Sequence, residues 1–255
     1  EYLSTPNRLS KWLYHAKAEA WHDSKMTFVS QCEWSREIAQ RSLIGKGHEH
    51  SVIGCPLDTS VFCPDGRKLA RQSLGLNEDE KVILIGSSGA LSINNKAKGF
   101  HYLFEAMELL PSLLTSERVK LITVGNDQHA PKFSFPTTSL GHISDNRRLA
   151  EIYSAADLAV VPSVMETFGQ SISEPMACGT PVVAFDATSQ KDLIEDGING
   201  YLAAFPDTVD LAKKIGRGLL ESHKLRGRCR AYAAGRWGFQ VVAKKYESVY
   251  QRALT

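Results

Sequence analysis

The chain has 255 residues, 43% of them hydrophobic and 23% charged, with a formal net charge of +2. That is ordinary globular composition, which excludes general disorder, and the near-neutral balance argues against a nucleic-acid partner. Five cysteines (Cys32, Cys55, Cys63, Cys178 and Cys229) form no CxxC pair, which argues against a disulfide framework or a zinc ribbon and fits a reducing, cytoplasmic compartment. No apolar run approaches the ~20 residues needed to cross a membrane, and no signal peptide is visible. The chain starts at Glu1 rather than Met, so its natural N-terminus is expected to be missing.

Residues 1–52 begin with a helix pattern that sets Leu9, Leu13, Ala16 and Ala20 on one face. The short strand Thr27-Phe28-Val29 follows, and Ser30-Gln31-Cys32-Glu33 is a capping-box pattern opening a helix to about Ser42. His48-Glu49-His50 offers an HxH pair that could suggest a metal, but on a polar loop it reads as solvent-exposed. One strand and two helices cannot bury a sheet, so this stretch reads as the end of another α/β domain. Gly54 to Asp58 reads as a linker.

Beyond it, apolar runs rich in Val and Ile alternate with helix patterns. The runs are Val82–Ile85, Val119–Val124, Leu158–Val161 and Pro181–Phe185, as suits strands covered on both faces. Phe100, Leu103, Phe104, Met107 and Leu110 recur at helical spacing, as do Leu149, Ile152 and Tyr153 after Asp145, a plausible cap. The order predicts a doubly wound, Rossmann-like parallel α/β sheet from about Pro56 to Gly235. From Lys213 to Arg252 only Glu221 and Glu247 oppose many Lys and Arg; solvated helix faces are the first reading, and a surface facing anionic lipid the second. Phe239, Val242, Tyr246, Val249 and Ala253 mark an amphipathic terminal helix.

Two loops stand where such sheets bind ligands. Gly86-Ser87-Ser88-Gly89 leads to Lys96-Ala97-Lys98-Gly99 ahead of a helix. Lysines there are disfavoured by the helix dipole unless they share an anion with it, so Lys98, and after it Lys96, reads either as a phosphate anchor or as a solvated loop lysine. The loop is neither a Walker A sequence nor a full GxGxxG pattern, which counts against ATPase and dehydrogenase readings. The second loop runs from Pro162 through Glu166, Phe168, Gly169 and Gln170 to Pro175. A helix starting near Ser171 would aim its free N–H groups at a ligand and put Glu174 on its first turn. Glu166 and Glu174 would then face one crevice, where carboxylates suit sugar or ribose hydroxyls. The alternatives are an exposed loop acid for Glu166 and, for Glu174, a capping box with Ser171.

These residues carry a resemblance. Tyr153-Ser154-Ala155-Ala156-Asp157, Val161-Pro162-Ser163, Glu166-Thr167-Phe168-Gly169, Glu174-Pro175-Met176-Ala177-Cys178-Gly179 and Asp196-Gly197 with Asn199-Gly200, together with Lys98-Gly99 and Pro56-Leu57-Asp58, resemble the retaining glycosyltransferases of GT-B fold, of the GT4 type. The resemblance covers essentially the whole chain. It implies the C-terminal half of a GT-B fold, divided into the end of an N-terminal acceptor domain (1–52), an interdomain linker (53–65), a nucleotide-sugar domain (66–235) and a terminal helix crossing back (236–255). It implies that Glu174 holds the ribose, that Glu166 sits near the donor sugar, and that Lys98 with the amides around Phe168, Gly169 and Gln170 neutralises the diphosphate. The loop Gly141-His142-Ile143 would contact the base, Ile143 through its backbone.

The implied reaction moves a sugar from a nucleoside-diphosphate sugar to a sugar or glycolipid hydroxyl in polysaccharide or glycolipid biosynthesis. It needs no cofactor or metal, and would run in the cytoplasm or at a membrane surface through peripheral association. Catalysis would rest on Lys98 and Glu166. There are departures. No Arg stands in Gly89-Ala90-Leu91-Ser92, where the family has one, unless Lys96 replaces it; Thr167 stands for a glycine, and Cys55 for a linker Asn. The acceptor domain, with its active-site His, would be represented only by residues 1–52, so the isolated chain is expected to bind donor without transferring sugar. Two rival readings are an epimerase acting on the nucleotide sugar and a binding module that has lost its chemistry.

Overall fold

The computed structural model describes residues 8–90, 95–115, 117–126 and 132–254. In chain order the elements are α1 (Arg8–Trp21), β1 (Thr27–Ser30), α2 (Glu33–Arg41), β2 (Glu49–Val52), α3 (Arg67–Ser73), β3 (Lys81–Ala90), α4 (Phe100–Leu109), β4 (Val119–Asn126), β5 (Thr137–Ser139), α5 (Asn146–Ala155), β6 (Leu158–Val161), α6 (Gln170–Ala177), β7 (Val182–Phe185), α7 (Gln190–Leu193), β8 (Gly200–Ala203), α8 (Thr208–Trp237) and α9 (Phe239–Ala253). Strands β3 to β8 form one sheet of six in the order β5-β4-β3-β6-β7-β8, every pairing parallel. The chain starts at the centre, moves out to β5, returns to β6 beside β3, and moves out the other way. This is the doubly wound sheet read from the apolar runs, with its switch point between β3 and β6.

The four apolar runs all lie in central strands, where Val82 to Ile85, Leu121, Leu158 and Val182 to Phe185 are fully buried. Because right-handed crossovers leave the centre in opposite directions, α4 and α6 lie on opposite faces. Helix α8 packs against both, and against β3, β6, β7 and β8. Asp145 caps α5 as expected, accepting the Arg147 N–H at 3.0 Å.

Polar contacts close the edge of the sheet opposite the strand C-termini. Asp157, between α5 and β6, accepts from Arg67 at 2.7 Å, from Arg71 at 3.3 Å and from the Val82 N–H at 2.8 Å. Arg67 also donates to the carbonyls of Ser154, Ala155 and Ala156, and Arg226 of α8 to those of Ser154 and Ala156. The last carbonyls of α5, which a helix cannot satisfy internally, are thus covered by guanidinium groups of α3 and α8.

The N-terminal part differs from its reading in two ways. A second strand is present: β2 pairs in parallel with β1, giving a two-stranded sheet. The capping box of α2 sits two residues later than Ser30-Gln31-Cys32-Glu33 suggested. The Cys32 thiol accepts from the Ser35 N–H, and the Ser35 hydroxyl from the Cys32 N–H. Helix α9 lays Val242 and Val249 on Ile53, with Val29 and Tyr246 beside them. His50 of the HxH pair stacks on Phe28 and bonds the Gly45 carbonyl at 2.8 Å, so it is an engaged packing residue. Among the described residues no helix is long and apolar enough to cross a membrane.

Removing the Asp157 carboxylate leaves Arg71, 8% exposed, without its counter-charge. Asp157→Ala should lower unfolding stability by roughly 3 kcal/mol or more. Urea denaturation checks this.

Candidate functional site

A crevice of about 470 Å³ opens at the switch point, lined by Gly86 of β3, Pro162 and Ser163 after β6, and Phe168 to Ser171 at the start of α6. The loops that follow β3 and β6 are in direct backbone contact. Gly99 has φ +66°, and a Cβ there would stand 1.9 Å from the Pro162 carbonyl oxygen; the Val164 N–H donates to the Ala97 carbonyl at 3.0 Å. Only glycine permits both the left-handed backbone and this approach. The contact sets Lys98 opposite Glu166, with Nζ 2.7 Å from Oε1.

The two lysines of the first loop therefore separate. Asn95 caps the short 3-10 turn Lys96–Lys98 by accepting the Lys98 N–H at 3.3 Å. The Lys98 side chain lines the crevice, whereas Lys96 is exposed and does not. Gly89 falls in the irregular end of β3 between Gly86 and Ala90. Leu91 and Ser92 lie outside the described residues.

Helix α6 starts at Gln170, one residue before the expected Ser171, so Glu174 stands on its second turn rather than its first. Its N-cap is Gly169 at φ +94°, which offers no side-chain acceptor. The Gly169 carbonyl takes the Ile172 and Ser173 N–H groups, while those of Gln170 and Ser171 have no partner among the described residues and open on the crevice. Such a helix start, carrying the positive end of the peptide dipoles, is chemically suited to an anion. Phe168 lends only backbone to it, for its ring is buried edge-on against Trp237 at 5.7 Å.

The capping-box alternative for Glu174 fails because Ser171 lies inside the helix. The Glu174 carboxylate instead accepts the Tyr153 hydroxyl at 3.0 Å and lines the crevice. Burial raises its pKa from the ordinary 4.5 to about 7, a rise the Tyr153 hydrogen bond partly offsets. Burial, followed by the charge of Glu174, holds the Tyr153 phenol well above its usual range, so the phenol remains a donor. His142 and Ile143 form the far wall, held there by the Gly125 N–H bonding the Gly141 carbonyl at 2.8 Å.

Sequence reasoning missed the support behind Glu166. The Thr188 hydroxyl accepts the Glu166 N–H at 2.9 Å and lies 3.0 Å from the Glu166 carbonyl and 2.9 Å from the Gln190 side-chain oxygen. Gln190, fully buried, donates to the Ser163 carbonyl at 2.6 Å. Nothing but the polar character of these two residues hinted at the role. Gln31 and Cys55 also line the crevice, reaching it from the N-terminal part and the linker. Among the described residues no cluster of three or more His, Cys, Asp or Glu stands ready to hold a metal ion.

Fold and crevice together are those of a GT-B glycosyltransferase. The family model for glycosyl transferases group 1 matches residues 66–236, and the chain belongs to that family. It is 32% identical over 223 residues to a D-inositol 3-phosphate glycosyltransferase of Xylanimonas cellulosilytica, a match covering 79% of this chain and 51% of the relative. The chain thus spans about half the length of the curated relatives it matches. Among solved structures, sucrose-phosphate synthase from Thermosynechococcus elongatus superposes with a TM-score of 0.77 at 24% identity, over 96% of this chain and 62% of the other. Anabaena HepE in complex with UDP-glucose does so with a TM-score of 0.70 at 21% identity, over 97% and 70%. At these identities the superpositions establish the fold.

Two expectations follow. Gly99→Ala should cost roughly 2–5 kcal/mol in urea denaturation, because the added Cβ meets a backbone oxygen and the left-handed φ is strained. Glu174 has a raised folded-state pKa, so its contribution to stability is complete below 4.5 and is lost as pH rises through about 7. Glu174→Gln cannot ionise. It should be the more stable protein by roughly 1–3 kcal/mol at about pH 8, a gap that opens as pH climbs from about 5.

Proposed function

We propose that this chain binds the donor for a retaining glycosyl transfer from a nucleoside-diphosphate sugar to an acceptor hydroxyl. The observation that carries the reading is the convergence, in one crevice, of a cation on Lys98, an open helix start at Gly169 to Ser171, and a buried carboxylate on Glu174. The first two are complementary to a diphosphate and the third to a vicinal diol. The ribose hydroxyls donate to Glu174 and draw it into its ionised form. The diphosphate lies between Lys98 and the amides of Gln170 and Ser171, the base against His142 and Ile143, and the sugar beside Glu166.

In the reaction the bond from the sugar's anomeric carbon to the diphosphate oxygen breaks, and the acceptor oxygen bonds that carbon on the same face. The acceptor's proton passes to the departing diphosphate. Lys98 and the α6 dipole stabilise the charge that grows on the leaving oxygen, so catalysis is mostly electrostatic. The acceptor is held from the opposite wall of the cleft, contributed by an N-terminal acceptor domain of which residues 1–52 are the end. Residues 53–65 form the linker, and α9 crosses back towards that domain. We place the enzyme in the cytoplasm or at a membrane surface, making a polysaccharide or glycolipid.

Support for a uridine nucleotide comes from the UDP-glucose that HepE binds, which makes UDP the first probe, beside GDP and ADP. Calorimetry should give binding of one of the three that survives excess chelator, since lysine and amides do the neutralising. Affinity should rise as pH increases through about 7, because the ligand selects ionised Glu174. Glu174→Gln should weaken binding by roughly 1–3 kcal/mol at about pH 8 and abolish that part of the pH dependence, the ligand's own titration remaining. Absence of binding to all three nucleotides would refute the reading; binding that needs a divalent metal would point to another kind of transferase.

A further inference from the structure

The cation of the crevice is paired within the protein. Lys98, the cation offered to the diphosphate, is bonded at 2.7 Å to Glu166, and the two side chains are only 31% and 15% exposed. Among the described residues no second carboxylate lies within ion-pair distance of Lys98. The backbone of Glu166 is anchored, since the Thr188 hydroxyl accepts its N–H and stands within hydrogen-bond distance of its carbonyl and of the buried Gln190 side-chain oxygen. A diphosphate arriving here must take Lys98 from its carboxylate partner and then sit near that carboxylate, which hangs from an anchored backbone. At such partly desolvated positions like charges repel strongly.

From this geometry we propose that Glu166 is a specificity-determining counter-ion that makes the site favour nucleoside-diphosphate sugar over free nucleoside diphosphate. The inference rests on the donor-site reading above. With the sugar attached, the hydroxyls of the hexose stand between the terminal phosphate and Glu166, and donate hydrogen bonds that replace the lost ammonium. Without it, nothing compensates Glu166, and the terminal phosphate carries more negative charge. Once the sugar has been transferred, re-formation of the Lys98–Glu166 pair helps expel the product. The glutamate set beside the phosphate-binding lysine thus limits product inhibition, at some cost in overall affinity.

The test is calorimetry on the full chain with whichever of UDP, GDP and ADP the wild type binds, and with the glucose ester of that nucleotide. Glu166→Gln keeps the size of the side chain and frees Lys98. It should tighten the free diphosphate by about tenfold, the equivalent of about 1.4 kcal/mol, and the glucose ester by clearly less. Glu166→Ala should shift the free diphosphate in the same direction, which guards against a local effect of the amide. In a Lys98→Met background the gain from Glu166→Gln should shrink, because there is no cation left to free. Unchanged or weaker diphosphate binding in both Glu166 variants overturns the proposal. So does an equal gain for diphosphate and ester, or a gain that persists in full without Lys98. Failure of the wild type to bind any of the three nucleotides would instead remove the donor-site reading, and this inference with it.

Discussion

The backbone contact between Gly99 and Pro162 is the constraint on which the crevice depends. Parallel strands β3 and β6 are neighbours in the sheet, yet their paired residues, such as Ile83 and Leu158, are far apart in the chain, and their exit loops could diverge. They do not, because a residue without a side chain lets the Pro162 carbonyl occupy the place of a Cβ. From this one approach follow the position of Lys98 against Glu166, the Val164–Ala97 hydrogen bond, and the run of the loop from Pro162 towards the open helix start at Gly169. The site is therefore built on two adjacent central strands of the sheet rather than on either loop alone, which is how a crevice made of loops stays preorganised.

The same preorganisation explains why the site stores unfavourable electrostatics. A carboxylate packed as deeply as Glu174 is held closer to neutrality than an exposed one, and its one side-chain hydrogen bond, from Tyr153, only partly offsets the burial. The start of α6 adds N–H groups without a partner among the described residues. Both conditions lower the stability of the chain, and both would be relieved by a ligand that combines an anion with a diol. A group whose removal stabilises the protein while weakening a ligand marks a site shaped for binding rather than for folding.

What could be read from the sequence follows from burial. Strands covered on both faces must be continuous apolar runs, so Val82 to Ile85, Leu158 to Val161 and their neighbours announced the central sheet. The edge strand Thr137–Ser139 and the N-terminal Glu49–Val52 are short and polar, with no alternation to distinguish them from loop. Glu166 and Glu174 are legible through the fixed spacing of their motif, and Lys98 ahead of Lys96 through the Lys98-Gly99 step. Lys96 and Lys98 differ in where a 3-10 turn capped by Asn95 points them. The caps misled for a related reason. Ser30 and Ser171 have the right residue type at the right spacing, but a cap is defined by where the backbone turns. Here the turns fall at Cys32, whose thiol is a rare acceptor, and at Gly169, which has no side chain.

The two ends of the sheet show how charge separates scaffold from site. At the N-terminal edge the Asp157 carboxylate receives two guanidinium groups and a backbone N–H, and the guanidinium hydrogens left over go to carbonyls at the end of α5. That cluster is fully satisfied, and any ligand would have to break bonds to enter it. At the C-terminal edge Lys98 has a single carboxylate partner, Glu174 a single hydroxyl, and the α6 amides none among the described residues. Both clusters hold charge that is at least partly buried, which is costly to desolvate. They differ in saturation, and only the unsaturated one can gain by admitting a charged, hydroxyl-rich molecule. Asp157 is as deeply buried as either glutamate, yet its complete set of partners assigns it to holding α3, α5 and β3 together, while the incomplete sets around Lys98 and Glu174 leave the crevice ready to bind.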